Sequence, residues 1–501
     1  MFTRNPSEAA KNVYSESCLL RAGHSYCSSG VRFALVFGLF ISALAARAAT
    51  NQAANATLAA VTAAISASSD GDTVLIPAGT ETWATPLSVT NAITLMGAGT
   101  NATIINGNGD VMVSVLLSSD KPVRISGIFF KNTKGGTRPT LVLNPKLTAF
   151  RVDHCKFNYG KRAIFPVGWC YGVIDHCTFE NSDIAIGPAG DDNFAWARPI
   201  EPGSTNCICI EDNAFIINNN APEDPNQQIY HSEGTRTITR KNIFDGSAYT
   251  AGYSIFFDAH GNGNYYTGNN GIDTRGTILV ECYSNIFHAY QTYQFSDFRG
   301  GTLFVYGNTL SYDTGPSPQL FALTDEESWQ SLIFNPLRTV RPAQDQITNS
   351  FFWSNTINGA LITNVTLVDP RDAVFIQEGR DYWMHQPNAT NVYANYTPLV
   401  YPHPMVSVQD RPLIPRGVVP FASASPQGGV APLKVSFSSA GSYARTGTAL
   451  TFFWTFGDGG FSSDANPVYT YPSNGIYSAQ LFVSDGLTNA SAKLRIKVPS
   501  P

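Results

Sequence analysis

Val152-Asp153-His154-Cys155-Lys156-Phe157 and Ile174-Asp175-His176-Cys177-Thr178-Phe179 are one motif written twice, 22 residues apart. Its ending returns at Asp212-Asn213-Ala214-Phe215, Lys241-Asn242-Ile243-Phe244 and Ser284-Asn285-Ile286-Phe287, and more faintly at Asn308-Thr309-Leu310 and Asn355-Thr356-Ile357. Asn285 and Asn308 are 23 residues apart, and the gaps of 58, 29 and 43 before them fit one or two such turns with loops inserted. A repeat of this size describes a solenoid in which each copy is one coil stacked on the last. Short strands bounded by Gly and Asn make it a β-coil. At the turns an Asn in the left-handed conformation would bond its side-chain amide to the next coil, forming a ladder. The Phe two residues on would point inward and stack on its copies. Residues 70 to 400 then make roughly a dozen coils, about 60 Å long at about 4.8 Å per coil.

Outward from this repeat, the ends need covers, because an open stack of strands invites pairing with other chains. Leu58, Val61 and Ile65 make one stripe of a short helix over Thr57 to Ser66, which predicts a cap within residues 49–68. The coils span 69–405 in this reading, and a Pro-rich linker with Gln409-Asp410-Arg411 follows at 406–419. Beyond it, Leu433-Lys434-Val435-Ser436-Phe437 alternates as a strand, and turn signals recur every 8 to 12 residues, which describes a small sandwich over 420–499. Trp454 is expected in its core, with Gly457-Asp458-Gly459 as the turn after that strand.

The chain carries 14% charged and 12% aromatic residues with a net charge of -5, and it has no Lys/Arg-rich run to meet nucleic acid. Arg32, the apolar stretch Phe33 to Ala45 and the small-residue site Ala46-Arg47-Ala48 read as a signal peptide over 1–48, with Val31 as an alternative start. The apolar run is shorter than the roughly 20 residues a spanning helix needs, so export without a membrane anchor, as a monomer, is expected. Of 8 cysteines, Cys155, Cys170, Cys177, Cys207, Cys209 and Cys282 lie past that site, too few for a disulfide scaffold in a chain of this length.

Two stretches carry resemblances. Gly71-Asp72-Thr73-Val74-Leu75-Ile76-Pro77-Ala78-Gly79-Thr80, followed by Ile93-Thr94-Leu95-Met96-Gly97-Ala98-Gly99-Thr100, resembles the opening of pectin-lyase-like right-handed parallel β-helix proteins, and Glu378-Gly379-Arg380-Asp381-Tyr382 with Tyr401-Pro402-His403-Pro404 resembles the closing region of bacterial members. The tryptophan strand ending in Phe456-Gly457-Asp458-Gly459 resembles the PKD domain, whose modules serve as spacers or attachment domains. The β-helix resemblance implies the fold and leaves the chemistry open, since this fold hosts lyases, hydrolases, epimerases and adhesins.

Long loops at Gly190 to Asn193, Asn218 to Gln228 and Asp258 to Arg275 would wall a cleft suited to an extended polymer. Trp169, Tyr171, Trp196, Tyr265 and Tyr266 are candidates for stacking on sugar faces, or they pack under their own loops. Arg275 and Arg299 precede Asn285 and Asn308 by 10 and 9 residues, which predicts neighbouring places in successive coils. A uronate carboxylate would fit between their forks; otherwise each bonds loop carbonyls, Asp273 or Asp297. Asp258 and His260 share a strand face and make the best acid–base pair, for a lyase that removes the proton beside a uronate carboxyl while an arginine steadies the charge. Glu281 is placed with the substrate residues or as the partner of Arg275. Asp191 and Asp192 are the candidates for calcium, the only cofactor in view, or form a solvated loop. The His-Cys pairs point to opposite faces and belong to a stacked ladder rather than a zinc site. The function expected is therefore that of a secreted protein acting on an acidic polysaccharide or cell-surface glycan, lyase-type, with a non-catalytic glycan-binding or adhesin-like protein as the alternative.

Overall fold

In the computed structural model, described over residues 48–144, 147–191, 193–221, 227–252, 256–261, 275–324, 345–407, 418–444, 449–486 and 489–499, the 22-residue motif becomes two neighbouring coils with every residue in register. Lys156 pairs with Thr178 and Phe157 with Phe179, parallel. Each coil contributes one strand to each of three parallel sheets, which contain 12, 11 and 10 of the described strands and are called the first, second and third sheet here. The winding is right-handed, the hand that twisted parallel strands take on returning to their own sheet. The fold is a right-handed parallel β-helix followed by a β-sandwich.

The predicted stack exists. Phe130, Phe157, Phe179, Phe215, Phe244 and Phe287 lie ring on ring, with centroids 5.3, 5.2, 4.9, 4.4 and 4.5 Å apart. The amide ladder exists as well. Asn213, Asn242, Asn285 and Asn308 each pass a side-chain N–H to the next Oδ1, at 3.0, 3.0, 3.0 and 2.9 Å, and Asn355 ends the ladder. One detail differs from expectation: the left-handed residue is the one before the asparagine. His154, His176, Asp212, Lys241, Ser284, Gly307 and Ser354 have φ between +50° and +61°. This single residue swings the chain from the first sheet to the second and leaves the amide inside the corner, where it bonds between coils. In the two earlier coils Cys155 and Cys177 occupy the ladder position, and Cys177 N–H donates to Asn213 Oδ1 at 2.8 Å. The cysteines are buried thiols. His154 and His176 stack outside at 5.0 Å, each with Nδ1 2.8 Å from the preceding aspartate.

The cap is the helix Leu58–Ser66, with Thr57 as N-cap and Val61, Ala64 and Ile65 buried against the first coil. At the far end the chain turns back after Tyr382–Trp383. It runs down the outer face of the first sheet as a strap: Tyr396 stacks on Phe304 at 4.3 Å, Val400 O accepts from Arg240 Nη2 at 2.9 Å, and His403 N–H donates to Glu211 Oε1 at 2.8 Å. Under it lies the buried pair of Arg240 and Glu211, 2.7 Å apart.

The sandwich packs Ser423–Ser425, Leu433–Ser438 and Val468–Tyr471 against Phe461–Ser462, Thr451–Thr455, Gly475–Ser484 and Asn489–Val498. Trp454 is fully buried at its centre with Phe437, Phe456 and Tyr471, as the sequence predicts. Gly457 and Gly459, both with positive φ, form the turn, and Asp458 accepts from Gly460 N–H at 3.1 Å and from Tyr469 O–H at 3.0 Å. The sandwich meets the β-helix through the loop carrying Ala197 and Arg198: Ala197 joins the sandwich core, and Arg198 Nε donates to Pro420 O at 3.2 Å. The expected signal peptide and most of the linker lie outside the described residues.

Candidate functional site

The third sheet decides where outward side chains gather. Its strands Ile229–His231, Phe257–Ala259 and Ser296–Phe298 pair so that Tyr230, Asp258 and Asp297 form one row. Phe257, Ala259 and Phe298 fill the interior, so alternation turns that row outward. His260 and Arg299 come two residues later and face out again, held beside one another by Arg299 N–H donating to Ala259 O at 2.8 Å. Unequal loops separate these strands in sequence, and the common register brings the five side chains together.

Asp258 is buried and accepts from Arg299 twice, Nη2 at 2.5 Å and Nε at 3.1 Å. Asp297 lies 3.5 Å from Arg299 Nε and keeps 22% of its side chain exposed. The fork is thus fixed from below by one carboxylate and flanked by another. The half-buried His260 ring is 5.4 Å from Tyr230, and its Nδ1 is 3.3 Å from Gly261 O. The Arg162 guanidinium lies 5.3 Å from the Tyr230 ring on the other side. Behind the row, His231 is buried with Nδ1 3.0 Å from Asp258 O and Nε2 2.9 Å from Thr237 Oγ1; burial pushes it down to about 4, so it is neutral and structural at neutral pH. The cluster offers a cation in a fixed orientation, an imidazole, a phenol and a partly exposed carboxylate on one face. Asp258 and Asp297 answer Arg299, and Arg162 beside Tyr230 is a second guanidinium.

Of the other sequence candidates, Arg275 borders this cluster, since Thr277 N–H donates to His260 O at 2.8 Å, and the rest sit elsewhere. Arg275 is clamped by Asp345, with Nη2 2.5 Å and Nε 2.8 Å from Oδ1, and lies 4.6 Å over Trp196. The two arginines therefore do not share an anion between them; each is met by its own buried aspartate. Trp196 donates Nε1–H to Gly276 O at 2.8 Å. Trp169 and Tyr171 are buried at the seam with the sandwich, where Arg198 lies 3.1 Å over the Trp169 ring and Phe421 is 5.9 Å from it, so they present no face to a polymer. Glu281 belongs to the first sheet, beneath the strap. Tyr396 O–H and Gly203 N–H donate to it at 2.6 Å each, and burial pushes its carboxyl up to about 7. It neither pairs with Arg275 nor reaches the third sheet's face. Asp191 meets Arg198 Nη1 with both oxygens at 3.3 Å, an arrangement that opposes a calcium ion there. Among the described residues no group of three or more His, Cys, Asp or Glu side chains is arranged to hold a metal. Asp192, Tyr265, Tyr266 and Asp273 lie outside the described residues. Tyr230 was missed because nothing in sequence ties it to Asp258; Asp345 likewise enters only through the fold.

A second feature missed from sequence is on the sandwich, where Phe453, Phe461 and Phe482 stand exposed on one sheet face, with centroids 5.8 and 6.3 Å apart.

These features define the class: a parallel β-helix with a C-terminal PKD domain. Residues 418–498 match the PKD domain model. Within the curated proteins, Collagenase ColA of Bacillus cereus is 35% identical over 60 residues, which is 12% of this chain and 6% of that protein's length. Among solved structures, the PKD1 domain of Vibrio anguillarum Epp is 24% identical with a TM-score of 0.15, covering 17% of this chain and 98% of that one. An alginate lyase from Paenibacillus sp. str. FPU-7 is 12% identical with a TM-score of 0.29, covering 67% and 98%. A mutant tailspike protein of E. coli bacteriophage HK620 in complex with a pentasaccharide is 12% identical with a TM-score of 0.28, covering 85% and 87%. No helix among the described residues is long and apolar enough to cross a membrane.

Proposed function

We propose that the chain is an extracellular polysaccharide-active protein that lays an acidic glycan along the outer face of the third sheet and cleaves it by β-elimination, with the PKD domain as its attachment module. The observation that carries this reading is Arg299, held by buried Asp258 beside His260 and Tyr230 on an outward face. In the reaction His260 takes the proton from the carbon beside the uronate carboxyl, and Arg299 steadies the carboxylate as charge builds on it. The electrons form a carbon–carbon double bond as the glycosidic C–O bond breaks, and Tyr230 delivers a proton to the departing oxygen. Asp258 orients Arg299. On the PKD domain, the exposed Phe453, Phe461 and Phe482 supply an apolar strip for holding a polymer.

A second reading, a non-catalytic glycan-binding or adhesin-like protein, is favoured by one observation: Arg299 already faces Asp258 and Asp297, so its charge is answered before any uronate arrives. Incubating the purified protein with a panel of uronate polymers and following the absorbance of the unsaturated product separates the two. Turnover that His260→Ala abolishes without moving the melting temperature supports the lyase. Binding with no product on any polymer establishes the second reading, and neither binding nor turnover removes both. Arg299→Ala is a poor probe, since it strands buried Asp258 and should cost about 3–5 kcal/mol of stability.

A further inference from the structure

The residues that the seam removes from the candidate site enclose a small cavity of about 20 Å³, lined by Trp169, Tyr171, Asp191, Thr235 and Arg236. Its walls come from three places: the turn entering the first sheet at Gly168 to Tyr171, the residues Ala189, Gly190, Asp191 and Ala195, and the start of the strand Arg236–Arg240. Arg198 lies over the Trp169 ring and joins this wall to Phe421 of the PKD domain, 4.2 Å from its guanidinium. Four polar groups of the lining, Trp169 Nε1, Tyr171 Oη, Thr235 Oγ1 and Arg236 Nε, are buried and have no hydrogen-bond partner among the described residues. Arg198 Nη2 is a fifth in the same wall. Three of the five are N–H groups that can only donate.

Size and hydrogen-bonding capacity together select the occupant. A space of about 10–15 Å³ holds one water-sized body, so this cavity takes one small particle and excludes sulfate, phosphate or a sugar carboxylate. Among the described residues, two guanidinium groups, Arg198 and Arg236, and two carboxylates, Asp191 and Glu201, act on Tyr171. Asp191 is engaged by Arg198, whereas the acceptors of Arg236 are the Ala195 and Arg198 carbonyls, at 2.8 and 3.3 Å. An arginine does not shed its proton, so burial without a counter-charge is costly. A water molecule has two lone pairs for the three donor-only N–H groups, whereas a halide accepts from all of them.

We propose that this cavity is a binding site for one monatomic anion, chloride in an extracellular medium, which ties the β-helix to its PKD domain. The site is independent of the chemistry on the third sheet. Crystals of the full chain grown in bromide in place of chloride should show an anomalous peak between Trp169 Nε1 and Arg236 Nε. In solution, the melting temperature should rise and saturate with chloride against gluconate at equal ionic strength. Tyr171→Phe, which removes only a hydroxyl from the lining, should shift that midpoint by about tenfold or more, and Arg236→Met should abolish the dependence. A site without anomalous signal, or equal melting in both salts, overturns the proposal. Because the bromide measurement uses the unaltered chain, it decides the matter even if Arg236→Met does not fold.

Discussion

Replacing Asn242 with Ala tests the amide ladder at its middle rung. Asn242 Oδ1 accepts from Asn213 N–H at 2.9 Å and from Asn213 Nδ2 at 3.0 Å, while its own Nδ2 donates to Ile210 O and Arg240 O at 2.9 Å and to Asn285 Oδ1 at 3.0 Å. Taken as one net hydrogen bond the amide would contribute about 1 kcal/mol. The structure asks for more. Truncation strands the buried Asn213 N–H, which adds about 1–3 kcal/mol. Asn242→Ala should therefore lose about 2–4 kcal/mol in urea unfolding. Asn242→Asp should lose more, because it turns an oxygen toward three acceptors. Asn364→Ala, on an exposed loop, should change nothing measurable. A loss below about 1 kcal/mol for Asn242→Ala, or an Asp variant as stable as wild type, would refute the idea that the ladder holds the corner.

Phe179→Ala removes a ring stacked on both sides and should cost about 3–5 kcal/mol, against about 1 kcal/mol for Phe179→Leu, read from the same urea transitions; equal costs would mean that ring stacking, not buried volume, carries the stability. For pH, Glu281 is pushed up to about 7 from 4.5 by burial, so the folded state holds its proton where the unfolded state has released it. The stability it contributes is full below about 4.5 and lost as pH rises through 7, so wild type minus Glu281→Gln should fall by about 3 kcal/mol over that range; a flat difference would contradict it. His231 and His403, each pushed down to about 4 from 6.5 by burial, act in the opposite sense: their contribution is full above 6.5 and lost as pH falls toward 4, and calorimetry should show acid lability there.

The winding was legible in the sequence. Each coil needs the same side chain at the same corner, so Asn213, Asn242 and Asn285, and Phe157, Phe179 and Phe215, return in pattern even where loops stretch the spacing. Trp454 and the Gly457-Asp458-Gly459 turn announced the second domain in the same local way, within a few residues of one another. The assumption that the ladder asparagine itself takes the left-handed conformation missed by one residue, because spacing marks a corner without saying which residue bends.

What faces what was decided by the tertiary structure alone. Asp258 and His260 share a strand face, as alternation requires, but which carboxylate would hold Arg299 depended on the register between strands joined by unequal loops. Glu281 looked like a neighbour of Arg275, yet a strap more than a hundred residues later covers it through Tyr396. Trp169 and Tyr171 looked like sugar platforms until Phe421 of another domain closed over them. Sequence determines what repeats, because stacking imposes the same local demand on every coil. It is silent on what distant segments bury, since that depends on where loops and straps of no fixed period return to the surface.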